Sequence, residues 1–148
     1  DLADTNSSQI ILNINNKIKY NQIKFDLGVD SVTNVSGAFG RDLDPTKGMY
    51  WTWQNGYINL KLEGKYIDTE NQHTEIQLHL GGYNGIFNSL STVQLPVNNQ
   101  QNINLEMDLG EALTKIDFTK YNHIMSPNVN SKVIMNYFSN AISVRKQE

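Results

Sequence analysis

The sequence predicts an all-β protein: an antiparallel β-sandwich of the immunoglobulin-like type with one or two short helical segments. Three observations predict it. Three segments alternate apolar and polar residues with period two. Clusters of Asn, Gly, Gln and Ser stand between them as turns. Helical spacing of apolar residues is confined to two short stretches near the C-terminal end.

In chain order, residues 1–8, Asp1-Leu2-Ala3-Asp4-Thr5-Asn6-Ser7-Ser8, are polar and lack the apolar run of a signal peptide. They read as a disordered tail before a single domain over 9–148. Weaker strands are expected over Gln9 to Ile18, Gln22 to Gly28 and Ser91 to Leu95. The stretch Ser36 to Gly48 holds three Gly and Pro45 with little periodicity, and reads as a long ordered loop. Asn55-Gly56 is a tight-turn pair ahead of the first clear alternation. There Ile58, Leu60 and Leu62 form one face, and Asn59, Lys61 and Glu63 the other. The second has Ile76, Leu78 and Leu80 on one face and His79 on the other. The third has Ile103, Leu105 and Met107 as its apolar set. Such patterns suit sheets with one packed and one wet face. A short helix is expected over Leu109 to Lys115, with Asp108 as N-cap and Glu111 at N3. A second, Lys132 to Ala141, would be capped by Asn130 or Ser131.

Composition bounds the chemistry. The chain has 148 residues, a net charge of -3 and no cysteine. Disulfides, thiolate metal sites and cysteine nucleophiles are therefore excluded. The mild negative charge argues against a nucleic-acid binder, which needs a clustered basic face. No apolar run is long enough for a membrane span. Twenty residues are Asn and only three are His. Asn6-Ser7-Ser8 and Asn34-Val35-Ser36 match the N-glycosylation pattern.

No phosphate loop, nucleophile elbow or paired-His helix motif occurs, so no catalytic residue is assigned. Asp42 and Asp44 offer loop carboxylates to calcium, against the commoner reading as turn-forming acids. His73 lies in a polar loop, His79 in a strand before two glycines, and His123 between the third alternation and the last helix. Two imidazoles brought together could hold copper or zinc; separately, each is an ordinary structural histidine. Both tryptophans fall in Tyr50-Trp51-Thr52-Trp53. If that segment is extended, Trp51 and Trp53 project to one side, as core, as a stacking platform or as a wall beside a metal.

A longer set of residues carries a family likeness. It runs Gly28-Val29-Asp30-Ser31, Asn34-Val35-Ser36-Gly37, Leu43-Asp44-Pro45, Gly48-Met49-Tyr50-Trp51-Thr52-Trp53, Gly56-Tyr57-Ile58 and Lys61-Leu62-Glu63-Gly64. It continues with His79-Leu80-Gly81-Gly82-Tyr83 and ends at Asn136-Tyr137-Phe138-Ser139. In order and spacing it resembles the MbnP-like family, in its Bacteroidetes branch, over about residues 23 to 145. The resemblance implies a β-sandwich related to periplasmic and surface copper proteins of methane oxidisers. Such a protein would be periplasmic, secreted or held at the cell surface by a lipid anchor outside this chain. In some relatives it implies one copper ion held by two histidines and a tryptophan oxidised to kynurenine. Carried over, Trp51 matches the oxidisable tryptophan, with Trp53 second, and His123 and His79 match the histidine ligands. The sequence departs from copper-binding relatives that carry a Trp-x-His pair, because Trp53 stands where that His would be. Relatives also carry a longer N-terminal stretch, so a shortened or divergent start with an exposed sheet edge is expected.

Two functions follow. One is a secreted, non-catalytic copper-binding protein for capture or delivery, using His79, His123 and Trp51. The other is a glycan- or protein-binding surface module using Trp51, Trp53, Tyr50 and Tyr83 without metal.

Overall fold

The fold is taken from a computed structural model, which describes residues 10–11, 19–67, 70–99 and 101–145. Strand β1 (Gln22–Leu27) pairs antiparallel with β5 (Ser91–Pro96). Between them lie the short helix α1 (Ser31–Val35) and the strands β2 (Tyr50–Thr52), β3 (Gly56–Ile67) and β4 (His73–Gly81). After β5 come β6 (Leu105–Met107), helix α2 (Leu109–Thr114), β7 (His123–Ile124), helix α3 (Ser131–Asn140) and β8 (Ile142–Val144). The largest sheet has the order β2-β3-β4-β7, and β6 pairs with β8. All pairings are antiparallel except β4 with β7. The all-β, sandwich-like expectation therefore holds, and the helices are few and short.

The long hairpin β3–β4 sets the geometry. Lys61 pairs with His79 and Glu63 with Gln77, while Leu60 pairs with Leu80 and Leu62 with Leu78. Side chains alternate across a strand. The leucines thus share one face, and Lys61, Glu63, Gln77 and His79 share the other. Leu78 and Leu80 are fully buried. They pack with Ile76, Ile116, Ile124, Ile134, Met135 and Phe138 in one core, to which β4 and α3 contribute equally. The 3.6-residue period of Ile134 and Phe138 places both on the sheet side of α3.

The helix expectations are met at α2 and α3. The Asp108 side chain accepts from the Glu111 amide at 2.9 Å, whereas Asn130, the N-cap residue of α3, makes no side-chain cap bond. The third alternation shortens to β6, Leu105–Met107. Leu105 is exposed, and only Met107 of the expected apolar set packs on the core. A strand persists only where a partner backbone lies beside it, and β8 is three residues long. The expected strand Gln9 to Ile18 lies outside the described residues except Ile10 and Ile11, which are not in a strand. The expected tail, residues 1–8, also lies outside them.

The loop from Ser36 to Gly48 contains two short 3-10 turns, Arg41–Leu43 and Pro45–Lys47. It is fastened to β3 by the buried Tyr57, whose hydroxyl donates to the Leu43 carbonyl at 2.8 Å and accepts from the Phe39 amide at 3.3 Å. Helix α1 has no counterpart among the helices expected from the sequence. Asp30 caps it by accepting from the Thr33 amide at 2.8 Å, a local signal of the usual N-cap kind.

Candidate functional site

His79 stands at the centre of β4, on the face turned away from Leu78 and Leu80. Its side chain is only 8% exposed, and its Nε2 lies 2.8 Å from Oε1 of Glu63. The same Oε1 is 3.4 Å from the Lys61 ammonium. Glu63 reaches His79 diagonally, since its own register partner is Gln77. The His79 hydrogen bond, more than the Lys61 charge, holds the Glu63 carboxyl below its ordinary value. Among the described residues, Nδ1 of His79 has no hydrogen-bond partner.

Trp51 reaches the same face from the opposite edge of the sheet. A Cβ placed on Gly81 would come within 2.7 Å of the Trp51 ring and 2.5 Å of the Tyr57 carbonyl oxygen. Gly81 is therefore the gap that seats the indole. Gly81 lies two residues beyond His79, so the two point to one face. Trp51 Nε1 is buried and has no acceptor. An orphaned buried donor of this kind is uncommon and costly.

His123 pairs in parallel register with Gln77. Residues in register share a face, which puts His123 on the His79 side of β4, one pleat period away. It is exposed, unlike His79. The fold thus gathers Trp51, His79 and His123 along one face of β4. Among the described residues, no group of three or more His, Asp or Glu forms a metal cage. Any metal here would rest on histidine plus a donor of another type.

The remaining candidates lie elsewhere. Trp53 is 77% exposed in the turn after β2. The strand ends at Thr52, so the condition for a paired Trp51–Trp53 platform is not met: one indole is seated on Gly81 and the other stands in solvent. Tyr50 packs edge-on to Tyr57, with ring centroids 4.8 Å apart. Tyr83 braces the loops at this end. Its hydroxyl donates to the Gln54 carbonyl at 3.3 Å, and its own carbonyl accepts from the Ser31 hydroxyl at 2.7 Å. Asp42 pairs with Lys47 at 3.1 Å. Asp44 accepts from the Thr46 amide at 2.9 Å and hydroxyl at 2.7 Å. The Thr46 hydroxyl is the first cause of the lowered Asp44 pKa. Both carboxylates are engaged in the turn. His73 begins β4 and is exposed.

Sequence reasoning did not single out Glu63 or Gly81. Each carried a signal: Glu63 belongs to the polar face of its alternation, and Gly81 follows the histidine strand. Only the β3–β4 register joins them to His79 and Trp51.

A family model described as MbnP matches residues 1–129. The match takes in the first 22 residues that the motif likeness left out, and stops short of Asn136-Tyr137-Phe138-Ser139. No curated protein and no solved structure matches the chain.

Proposed function

From the chain's membership of the MbnP family, we propose that it is an exported, non-catalytic metal-binding protein that captures or delivers copper on the His79 face of β4. One observation carries this reading. Trp51 and His79 converge on one sheet face, and each keeps a polar nitrogen without a partner among the described residues. Imidazole nitrogens suit copper, and the family resemblance supplies an oxidised tryptophan, kynurenine, as the donor that indole lacks. His79 would hold the ion, His123 would approach from β7, and Trp51 would complete the set after oxidation. Bound copper would bring two nitrogen-rich segments of the sheet under one charge; His79, Glu63 and Gly81 do the placing. Trp53 occupies the position of a histidine in copper-binding relatives, so the second imidazole has to come from His123.

Copper titration of the purified chain, with mass spectrometry of the Trp51 peptide, tests this reading. Submicromolar binding that is lost in His79→Ala is the expected result. Binding no tighter than micromolar, together with an unmodified indole, overturns it.

A second reading has its own observation. Trp53 and Ile86 are 77% and 73% exposed, and Tyr83 ties the turn of one to the segment of the other. Large apolar side chains exposed on loops that are braced to each other suit a contact surface. A glycan- or protein-binding module would use them without metal. A glycan screen in which Trp53→Ala leaves every signal unchanged counts against it.

A further inference from the structure

The bond between Glu63 and His79 has a consequence for which imidazole nitrogen is available. An ionised carboxylate only accepts hydrogen bonds. With Oε1 of Glu63 at 2.8 Å, Nε2 of His79 must carry the hydrogen. A neutral imidazole then has its lone pair on Nδ1. Nδ1 is also the nitrogen without a partner among the described residues. The two partners differ in setting: the His79 side chain is 8% exposed, the Glu63 side chain 52%. A buried ring is therefore held by a carboxylate whose outer side stays in water. Lys61 shares the same Oε1 at 3.4 Å, which favours the charged carboxylate. A carboxylate behind a metal-binding histidine fixes the tautomer, orients the ring and raises its basicity.

We propose that Glu63 is the positioning residue of His79, holding it as the Nε2–H tautomer so that Nδ1 is the metal-ligating nitrogen. The ligation half rests on the copper reading above; the tautomer half does not.

The full chain, labelled with ¹⁵N-histidine, separates the two. In the metal-free spectrum, His79 is expected as the Nε2–H form, assigned by its loss in His79→Ala. Adding Cu(I) alone, which is diamagnetic, is expected to move the Nδ1 signal and leave the Nε2 proton in place. Glu63→Ala is expected to weaken Cu(I) binding by about 10- to 100-fold and to mix the tautomers. Glu63→Gln, whose amide oxygen still accepts from Nε2, is expected to keep the tautomer and recover part of the affinity. A purely structural role for Glu63 would not produce that split. The thermal unfolding of each variant reports whether it folds, and the half-exposed Glu63 leaves two variants to choose from. A metal-free Nδ1–H tautomer overturns the positioning role. Loss of the Nε2 proton on adding Cu(I), or Glu63→Ala binding within about twofold of the parent, overturns the ligation half. Should the parent take up no Cu(I), the copper reading and the ligation half fall together, while the metal-free spectrum still decides the role of Glu63.

Discussion

The Asn34 carboxamide uses its donor and its acceptor to join two segments. Its Nδ2 donates to the carbonyls of Val29 and Asp30 at 3.0 and 2.9 Å. Its Oδ1 accepts from the buried Tyr57 amide at 2.8 Å. The same oxygen is why residue 56 is glycine: a Cβ there would lie 2.1 Å from it, and Gly56 also takes a φ of +74°. Asn34 matched a glycosylation pattern, but at 5% exposure its amide is committed to the fold. Asn34→Ala leaves the Tyr57 amide buried and unpaired, so urea unfolding should report a loss of roughly 1–3 kcal/mol. Asn59 acts similarly, accepting from Val29 at 2.9 Å and donating to Ser89 at 2.8 Å. Asparagine clusters mark turns in the sequence, but these two serve as internal braces. No sequence pattern separates brace from turn, because the distinction depends on residues 23 to 30 positions apart.

Three surface carboxylates give the residue scale a pH dependence. Asp30, Asp44 and Asp117 are held below the ordinary aspartate value of 3.8 by hydrogen bonds to the Thr33 amide, the Thr46 hydroxyl and the Thr119 hydroxyl respectively. A folded-state pKa below the unfolded one means that the unfolded chain binds protons first as pH falls. The stabilisation is thus complete above the unfolded value and drains away through the folded one. Chemical denaturation at a series of pH values should show stability falling below about pH 4 to 5. In the double variant Asp30→Asn, Asp44→Asn, the fall should be shallower. An equally steep fall would exclude these two turns as its source.

At the scale of elements, local patterning succeeded where local forces decide. Helix α2 begins where Asp108 stands before a short apolar segment, and its cap bond is present. Asp108→Ala should cost about 1 kcal/mol, read from the midpoint of thermal unfolding, while Asp108→Asn or Asp108→Ser should restore most of it. Strands β3 and β4 are equally legible, because three apolar positions on each repeat at period two and both have a leucine-rich face. The third alternation predicts a longer strand than forms. Its pattern is as regular as the others, but β8 offers only three residues to pair with, and Leu105 faces solvent. Pattern reports what a segment can do, and the neighbouring strand determines how much of it happens.

At the scale of the whole molecule, core and candidate site lie on opposite faces of one sheet. Helix α3 covers the Leu78 and Leu80 face. Trp51, His79 and His123 line the other. A ligand that binds only the folded chain raises its stability by mass action. Copper at 100 times its dissociation constant should add about 2.7 kcal/mol, seen as a rise in melting temperature that depends on copper concentration. The rise should vanish in His79→Ala and persist in His73→Ala, since His73 is exposed at the start of β4. Protection that survives His79→Ala would place the metal elsewhere. Among the described residues no helix is long and apolar enough to cross a membrane, which agrees with the lack of long apolar runs in the sequence.

The sequence by itself determined the all-β class, the two main strands with their packed faces, helices α2 and α3, and the family. Period and caps are readable within a dozen residues or so, and the family in the order of motifs along the chain. Only the tertiary structure decided what stands beside His79. The β3–β4 register brings Glu63 to its Nε2, the glycine at position 81 admits the Trp51 ring from the far edge, and the end of β2 at Thr52 separates Trp51 from Trp53. The physical reason is that alternation fixes which face a side chain takes, whereas its neighbours on that face are set by register. Register is a relation between strands, and no single segment contains it.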